Sequence, residues 1–210
     1  GWQIQDNQPS VQGAIEASLK KIHNGEEIKI YGASRTDSGV HAKGQVFHFD
    51  SVIPLAPERW RLAINTYMDN DIFVKSVEHV TEEFHSRYNV VKKEYQYKLS
   101  NNQFDPLRRQ HVEFEFRKLD IELMKKEIKC LVGSHDFSSF TSKSEYETYV
   151  REIFEAEIID DNGELTFRFV GSGFMRYMIR IIVGTLVEIG YGRKENLSFI
   201  MNQKNRKYAG

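Results

Sequence analysis

Apolar residues recur along this chain at two spacings, one near 3.6 and one of two, and the switches between them lay out its elements. Val11, Ala14, Ile15, Ser18, Leu19 and Ile22 form one helical stripe over residues 10–23, with Ser10 in the N-cap position and Asn24-Gly25 as the stop. A short strand, Ile28 to Tyr31, runs into the polar loop Gly32-Ala-Ser-Arg-Thr-Asp-Ser-Gly-Val-His41, and a second strand follows through Val46, Phe47, His48 and Phe49. Pro57, a favoured first-turn residue, opens a helix with Trp60, Ala63, Ile64 and Tyr67 on one face. Ile72 to Val80 reads as a strand that closes the first half.

The second half opens with strict alternation: Val91, Tyr95, Tyr97 and Leu99 fall on one face, Lys92, Glu94, Gln96 and Lys98 on the other, and Lys93 alone breaks the pattern. Asp120 caps a helix that turns Ile121, Met124, Ile128 and Leu131 inward and stops at Gly133. Asn162-Gly163 is a strong hairpin signal between Ala156/Ile158 and Leu165/Phe167/Phe169. The helix expected over 174–189 carries Met175, Met178, Ile179, Ile182, Val183 and Leu186, too broad an apolar surface for a solvated helix, so it is expected to be mostly buried. The pattern predicts an α+β fold of two halves, residues 1–83 with the polar loop and residues 84–210, with helices packed on mostly antiparallel sheets.

Composition adds constraints. The chain has 210 residues, 40% of them apolar, which is ample for a core. Its 29 Lys and Arg nearly balance 30 Asp and Glu, so a polyanionic partner has to be met by local basic patches. Candidates are Arg35, Arg59/Arg61, Lys92-Lys93, Arg108-Arg109, Arg176/Arg180 and the Lys204 to Lys207 stretch, although such pairs can equally be solvated surface. Cys130 is the single cysteine, which excludes a disulfide framework or multi-thiolate zinc site and fits a reducing cytoplasm. Arg176, Arg180 and Glu188 interrupt the longest apolar stretch, which falls short of the ~20 residues of a membrane span. No signal peptide is visible; the opening Gly-Trp-Gln-Ile-Gln lacks an initiator Met, and both natural ends are expected to be missing.

Three stretches carry candidate chemistry. Arg35, Thr36 and Asp37 stand between glycine hinges in a loop too polar for a core, although Asp-Ser-Gly is also ordinary turn chemistry in which Asp37 caps its own loop. Arg176 and Arg180, a helical turn apart in an apolar stretch, need either an anionic partner such as Asp37 or a route to water along the helix edge. Tyr95 is either a core tyrosine or an aromatic surface for an extruded base. The histidines show no metal-ligand spacing, so no metal is expected.

Together these stretches resemble the TruA family of pseudouridine synthases over nearly the whole chain. Arg35-Thr-Asp-Ser-Gly-Val-His-Ala42 with Gly44-Gln-Val46 resembles the family's catalytic loop, and the resemblance makes Asp37 the nucleophile. Phe84-His-Ser-Arg87 with Lys93-Glu-Tyr-Gln-Tyr97 resembles the second motif, whose first tyrosine, here Tyr95, packs against the target base. His135-Asp-Phe-Ser-Ser-Phe140 with Val150-Arg151 is similar to the third. Gly173-Phe-Met-Arg-Tyr-Met-Ile-Arg-Ile-Ile-Val-Gly184 is similar to the fourth, and its arginine, here Arg180, pairs with the catalytic aspartate. Ser34 stands where many members have Gly, and the family's first strand and its closing segment have no counterpart here.

The resemblance implies isomerisation of uridine to pseudouridine in the anticodon stem-loop of tRNA, around positions 38 to 40, without cofactor or metal. It further implies two halves whose sheets join into one, with an active-site cleft between them, a homodimer spanned by the tRNA, and no membrane partner. Arg35, Thr36, His41 and Gln45 become substrate-binding candidates beside Tyr95. Two other classes stay open: a non-catalytic RNA-binding protein, and a two-carboxylate nucleoside hydrolase, which needs a second acid near Asp37.

Overall fold

The computed structural model describes every residue except Asn7 and residues 143–145. It divides into two compact units, Gly1–Val90 and Val91–Gly210.

In the first unit the Ser10 hydroxyl accepts from the Gly13 amide at 3.1 Å and starts helix α1, Val11–Ile22. The helix ends where Asn24 and Gly25 turn to positive φ, 53° and 101°. Strands β1, Tyr31–Gly32, and β2, Phe47–His48, pair antiparallel and are shorter than their sequence pattern suggested. The Ile30 amide accounts for part of this, because it donates to the Glu16 carboxylate instead of a ladder. Helix α2, Pro57–Thr66, begins at the proline as expected and buries Trp60 and Ile64. Tyr67 lies past its end and is exposed, with the Lys21 ammonium over its ring. The two helices meet closely enough for Ser18 Oγ to donate to the Ile64 carbonyl at 3.0 Å. Trp2, Ile15, Leu19, Ile30, Trp60, Ile64 and Val74 fill the core between them.

The strand expected over Ile72 to Val80 does not form. Val74 is clasped by a side chain instead: the Asn65 amide accepts from its N–H and donates to its C=O, both at 2.8 Å. Those two bonds are the ones a ladder would have used.

The second unit follows the sequence pattern more closely. Strand β3, Lys93–Ser100, half-buries Tyr95 and Tyr97 and fully buries Leu99, while Glu94, Gln96 and Lys98 stay exposed. Strand β4, Glu113–Phe114, pairs parallel with it, and helix α3, Ile121–Glu127, is capped by Asp120, whose carboxylate accepts from Leu123 N at 2.9 Å. Strands β5, Gly133–Asp136, β6, Val150–Asp161, and β7, Glu164–Gly171, complete a five-stranded sheet in the order β4-β3-β7-β6-β5. All of its pairings except β3–β4 are antiparallel. Asn162 and Gly163, at φ 52° and 86°, form the β6–β7 turn, two positive values that suit the twist of the hairpin. Leu165, Phe167 and Phe169 of β7 face the core and pair in register with Leu99, Tyr97 and Tyr95.

On the other face of this sheet Arg168 meets Glu94, Glu155 and Glu157 at 3.1, 2.6 and 2.9 Å. Those carboxylates hold the guanidinium still more firmly protonated than usual.

Helix α4, Met178–Gly190, buries Met178, Ile181, Ile182, Val183, Leu186 and Ile189 against Phe137, Phe140, Phe167 and Phe169. It starts later than its apolar pattern implied, because Tyr177 adopts φ 60° and breaks the turn. Arg176 is thereby left outside the helix. Helix α5, Leu197–Asn202, closes the chain's last stretch over the same core. Among the described residues no helix is long and apolar enough to cross a membrane.

Candidate functional site

The polar loop after β1 is fixed from three sides. The Ala33 amide donates to the Val46 carbonyl at 2.8 Å, and the Gln45 side-chain amide donates to the Ser34 carbonyl, so both ends of the loop are tied across its mouth. From a third direction the Trp2 amide donates to the Thr36 carbonyl at 3.2 Å. Gly1 and Trp2 are themselves anchored, since their carbonyls accept from the first amides of α1, Val11 and Gln12, at 3.1 and 3.0 Å. Gly32 is required here: a Cβ on it would overlap the Trp2 indole.

At the tip, Val40 N donates to Asp37 O at 3.2 Å and Gly39 takes φ 78°, so the main chain closes the turn. Asp37 and Thr36 are half-buried and Arg35 and His41 exposed. A carboxylate two residues from a guanidinium, in a loop whose backbone bonds are already made, is prepositioned for acid, base or nucleophilic work. The sequence pattern located this loop but not the brace from Trp2. A tryptophan standing in a mostly polar opening segment was the available signal.

Tyr95 and Arg180 belong to the second unit. Tyr95 is half-buried on β3, with its ring edge-on to Phe174 at 5.1 Å. Arg180 sits in the first turn of α4 and is exposed. The helix turns Met178, Ile181 and Ile182 inward, which rotates Arg180 to the outside. Its charge still reaches Tyr97, whose hydroxyl pKa is raised by burial and by Glu113 and partly lowered by Arg180. A cation at the positive end of a helix dipole is disfavoured unless an anion joins it.

Several basic residues put forward for RNA contact are engaged locally. Arg61 is paired with Glu58, Arg108 with Glu164, and Lys204 with Asp136. Arg176 lies over the Tyr177 ring, 4.9 Å from its centroid, and donates to its hydroxyl at 3.1 Å.

Fold and loop together define an α+β protein whose first unit carries Asp37 on a braced polar loop. A family model described as tRNA pseudouridine synthase matches residues 2–89 and 128–210. A tRNA pseudouridine synthase A 1 of Bacillus cereus is 45% identical over 214 residues, covering 100% of this chain and 87% of its own. The tRNA pseudouridine synthase A of Anoxybacillus flavithermus is 41% identical over 213 residues, with 100% and 87% covered, and that of Geobacillus kaustophilus is 41% identical over 214 residues, with 100% and 83% covered. The chain belongs to the tRNA pseudouridine synthase family, in its TruA branch, and is an isomerase.

Proposed function

We propose that this enzyme isomerises uridine to pseudouridine in the anticodon stem-loop of tRNA, at about positions 38 to 40, with Asp37 as the nucleophile and the target base flipped out of its stack. The observation that carries this reading is the half-buried Asp37, one residue beyond a carbonyl braced by Trp2 and two beyond the exposed Arg35. The reaction breaks the bond from ribose C1′ to N1 of uracil, turns the base, and joins C1′ to C5, with the C5 proton lost to solvent and N1 taking one up. Arg35 is suited to hold a phosphate or fill the space the base leaves, and Tyr95 to support the displaced ring. Thr36, His41 and Gln45 shape the loop around them, Gln45 through its bond to Ser34. Arg180 is the cation that the family resemblance pairs with the catalytic carboxylate, and its planar guanidinium suits that pairing.

No cofactor enters this scheme. The enzyme works in the cytoplasm as a homodimer that tRNA spans, which light scattering with and without tRNA will test. For the chemistry, Asp37→Asn should bind tRNA normally and release no tritium from 5-tritiated uridine in tRNA. Near-normal release would remove Asp37 from its role. A non-catalytic RNA-binding protein would give no carbodiimide-reactive product even with Asp37 intact, and a hydrolase would liberate free uracil.

A further inference from the structure

Period-two alternation along β1 and β2 and the residues flanking them sends Ile30, Phe47 and Phe49 toward the first unit's core and leaves Tyr31 and His48 on the opposite face. Over that face lies the segment 84–89, fixed by a short set of bonds. Ser86 is buried; its hydroxyl donates to the Tyr31 carbonyl at 2.6 Å and meets His48 Nδ1 at 3.0 Å. The His85 carbonyl accepts from the amides of Tyr88 and Asn89 at 3.1 and 3.0 Å, its amide donates to Asn89 Oδ1 at 2.6 Å, and its ring Nδ1 accepts from Arg87 N at 3.1 Å.

The result is a staircase of rings. Tyr31 stacks on His48 at 5.1 Å, His48 meets His85 at 4.7 Å, and His85 meets Tyr88 at 4.3 Å. His48 and His85 are half-buried, and Tyr88 at the end of the series is 76% exposed. The exposed Arg87 guanidinium lies 5.9 Å from the Tyr88 ring centroid. Burial and the nearby His85 lower the pKa of His48, which favours its neutral form.

The geometry points to this staircase as a stacking site for one unpaired nucleobase of the RNA substrate, with Tyr88 as the platform and Arg87 on the adjoining phosphate. A flat ring held at the surface by a braced turn loses little freedom when a base settles on it, and a guanidinium beside it matches the phosphate that every nucleotide carries. The same strand pair carries the Asp37 loop, so a nucleotide stacked here would hold the RNA beside that loop. The inference rests on the RNA-modifying reading above.

The test compares wild type, Tyr88→Phe, Tyr88→Ala and Arg87→Gln for tRNA Kd and for KM and kcat of pseudouridine formation. Because both side chains are exposed, the variants should keep the wild-type circular dichroism. Tyr88→Phe should stay within about twofold, Tyr88→Ala should raise Kd and KM about tenfold at unchanged kcat, and Arg87→Gln should reduce the salt slope of binding by about 1. Wild-type Kd in Tyr88→Ala overturns the proposal, and so does a change in self-association alone, which would assign the rings to a second copy of the chain. If wild type makes no pseudouridine yet its RNA affinity depends on Tyr88, the platform stands and the catalytic reading falls. If wild type is active and Tyr88→Ala is indifferent, the reverse holds.

Discussion

The main-chain N–H of Trp2 donates to the carbonyl of Thr36, one residue before Asp37, and the Trp2 indole covers the face where Gly32 has no side chain. One residue thus fixes the height of the loop and closes its underside. Gly32→Ala should therefore push the indole aside, destabilise the protein by about 1–3 kcal/mol and reduce turnover more than tRNA affinity. Urea unfolding followed by tryptophan fluorescence, beside tRNA binding and tritium release, will check both parts.

The Asn65 clasp makes a second prediction. Asn65→Ala leaves the Val74 N–H and C=O without those partners, at a cost of about 1–3 kcal/mol. Amide hydrogen exchange at Val74 should accelerate, while the helical circular dichroism of α2 is retained. Unchanged protection would mean that the clasp contributes nothing.

His48 couples stability to mild acid. Its folded pKa lies below the ordinary value of 6.5 through burial and His85, only partly offset by Asp50 and the Tyr31 carbonyl. Below pH 6.5 the unfolded chain takes up a proton that the folded one resists, so stability should fall as pH drops from there through the lowered folded pKa. His48→Asn should flatten the urea midpoint across that window, and His85→Asn should raise the His48 pKa measured by NMR.

Glu164 titrates in the opposite region. Arg108 and the Ser100 hydroxyl hold its carboxyl down to about 2, against an ordinary 4.5. Its contribution is complete above pH 4.5 and is lost as pH falls from there to about 2. The gap in urea midpoint between wild type and Glu164→Gln should be constant at neutral pH and shrink across that acid range.

The parts of this protein legible from sequence are those in which one local signal decides. Ser10, Pro57, Asp120 and Asn162-Gly163 each set an element boundary through their own chemistry, and the structure places those boundaries at or next to them. The 32–41 loop was equally visible, because its polar run between glycines fits neither core nor helix. What escaped were features decided by one particular contact or backbone angle rather than by periodicity. The 72–80 segment satisfies Val74 through Asn65 rather than a strand, and Tyr177 halts a helix that its hydrophobic pattern would extend. No windowed pattern contains that information.

Three acidic side chains surrounding Arg168 give that patch of β3, β6 and β7 an excess of negative charge, with its one guanidinium already committed. A phosphodiester chain drifting toward this side of the sheet meets repulsion rather than a handhold. A molecule of almost zero net charge can thus discriminate between its own surfaces when it meets a polyanion.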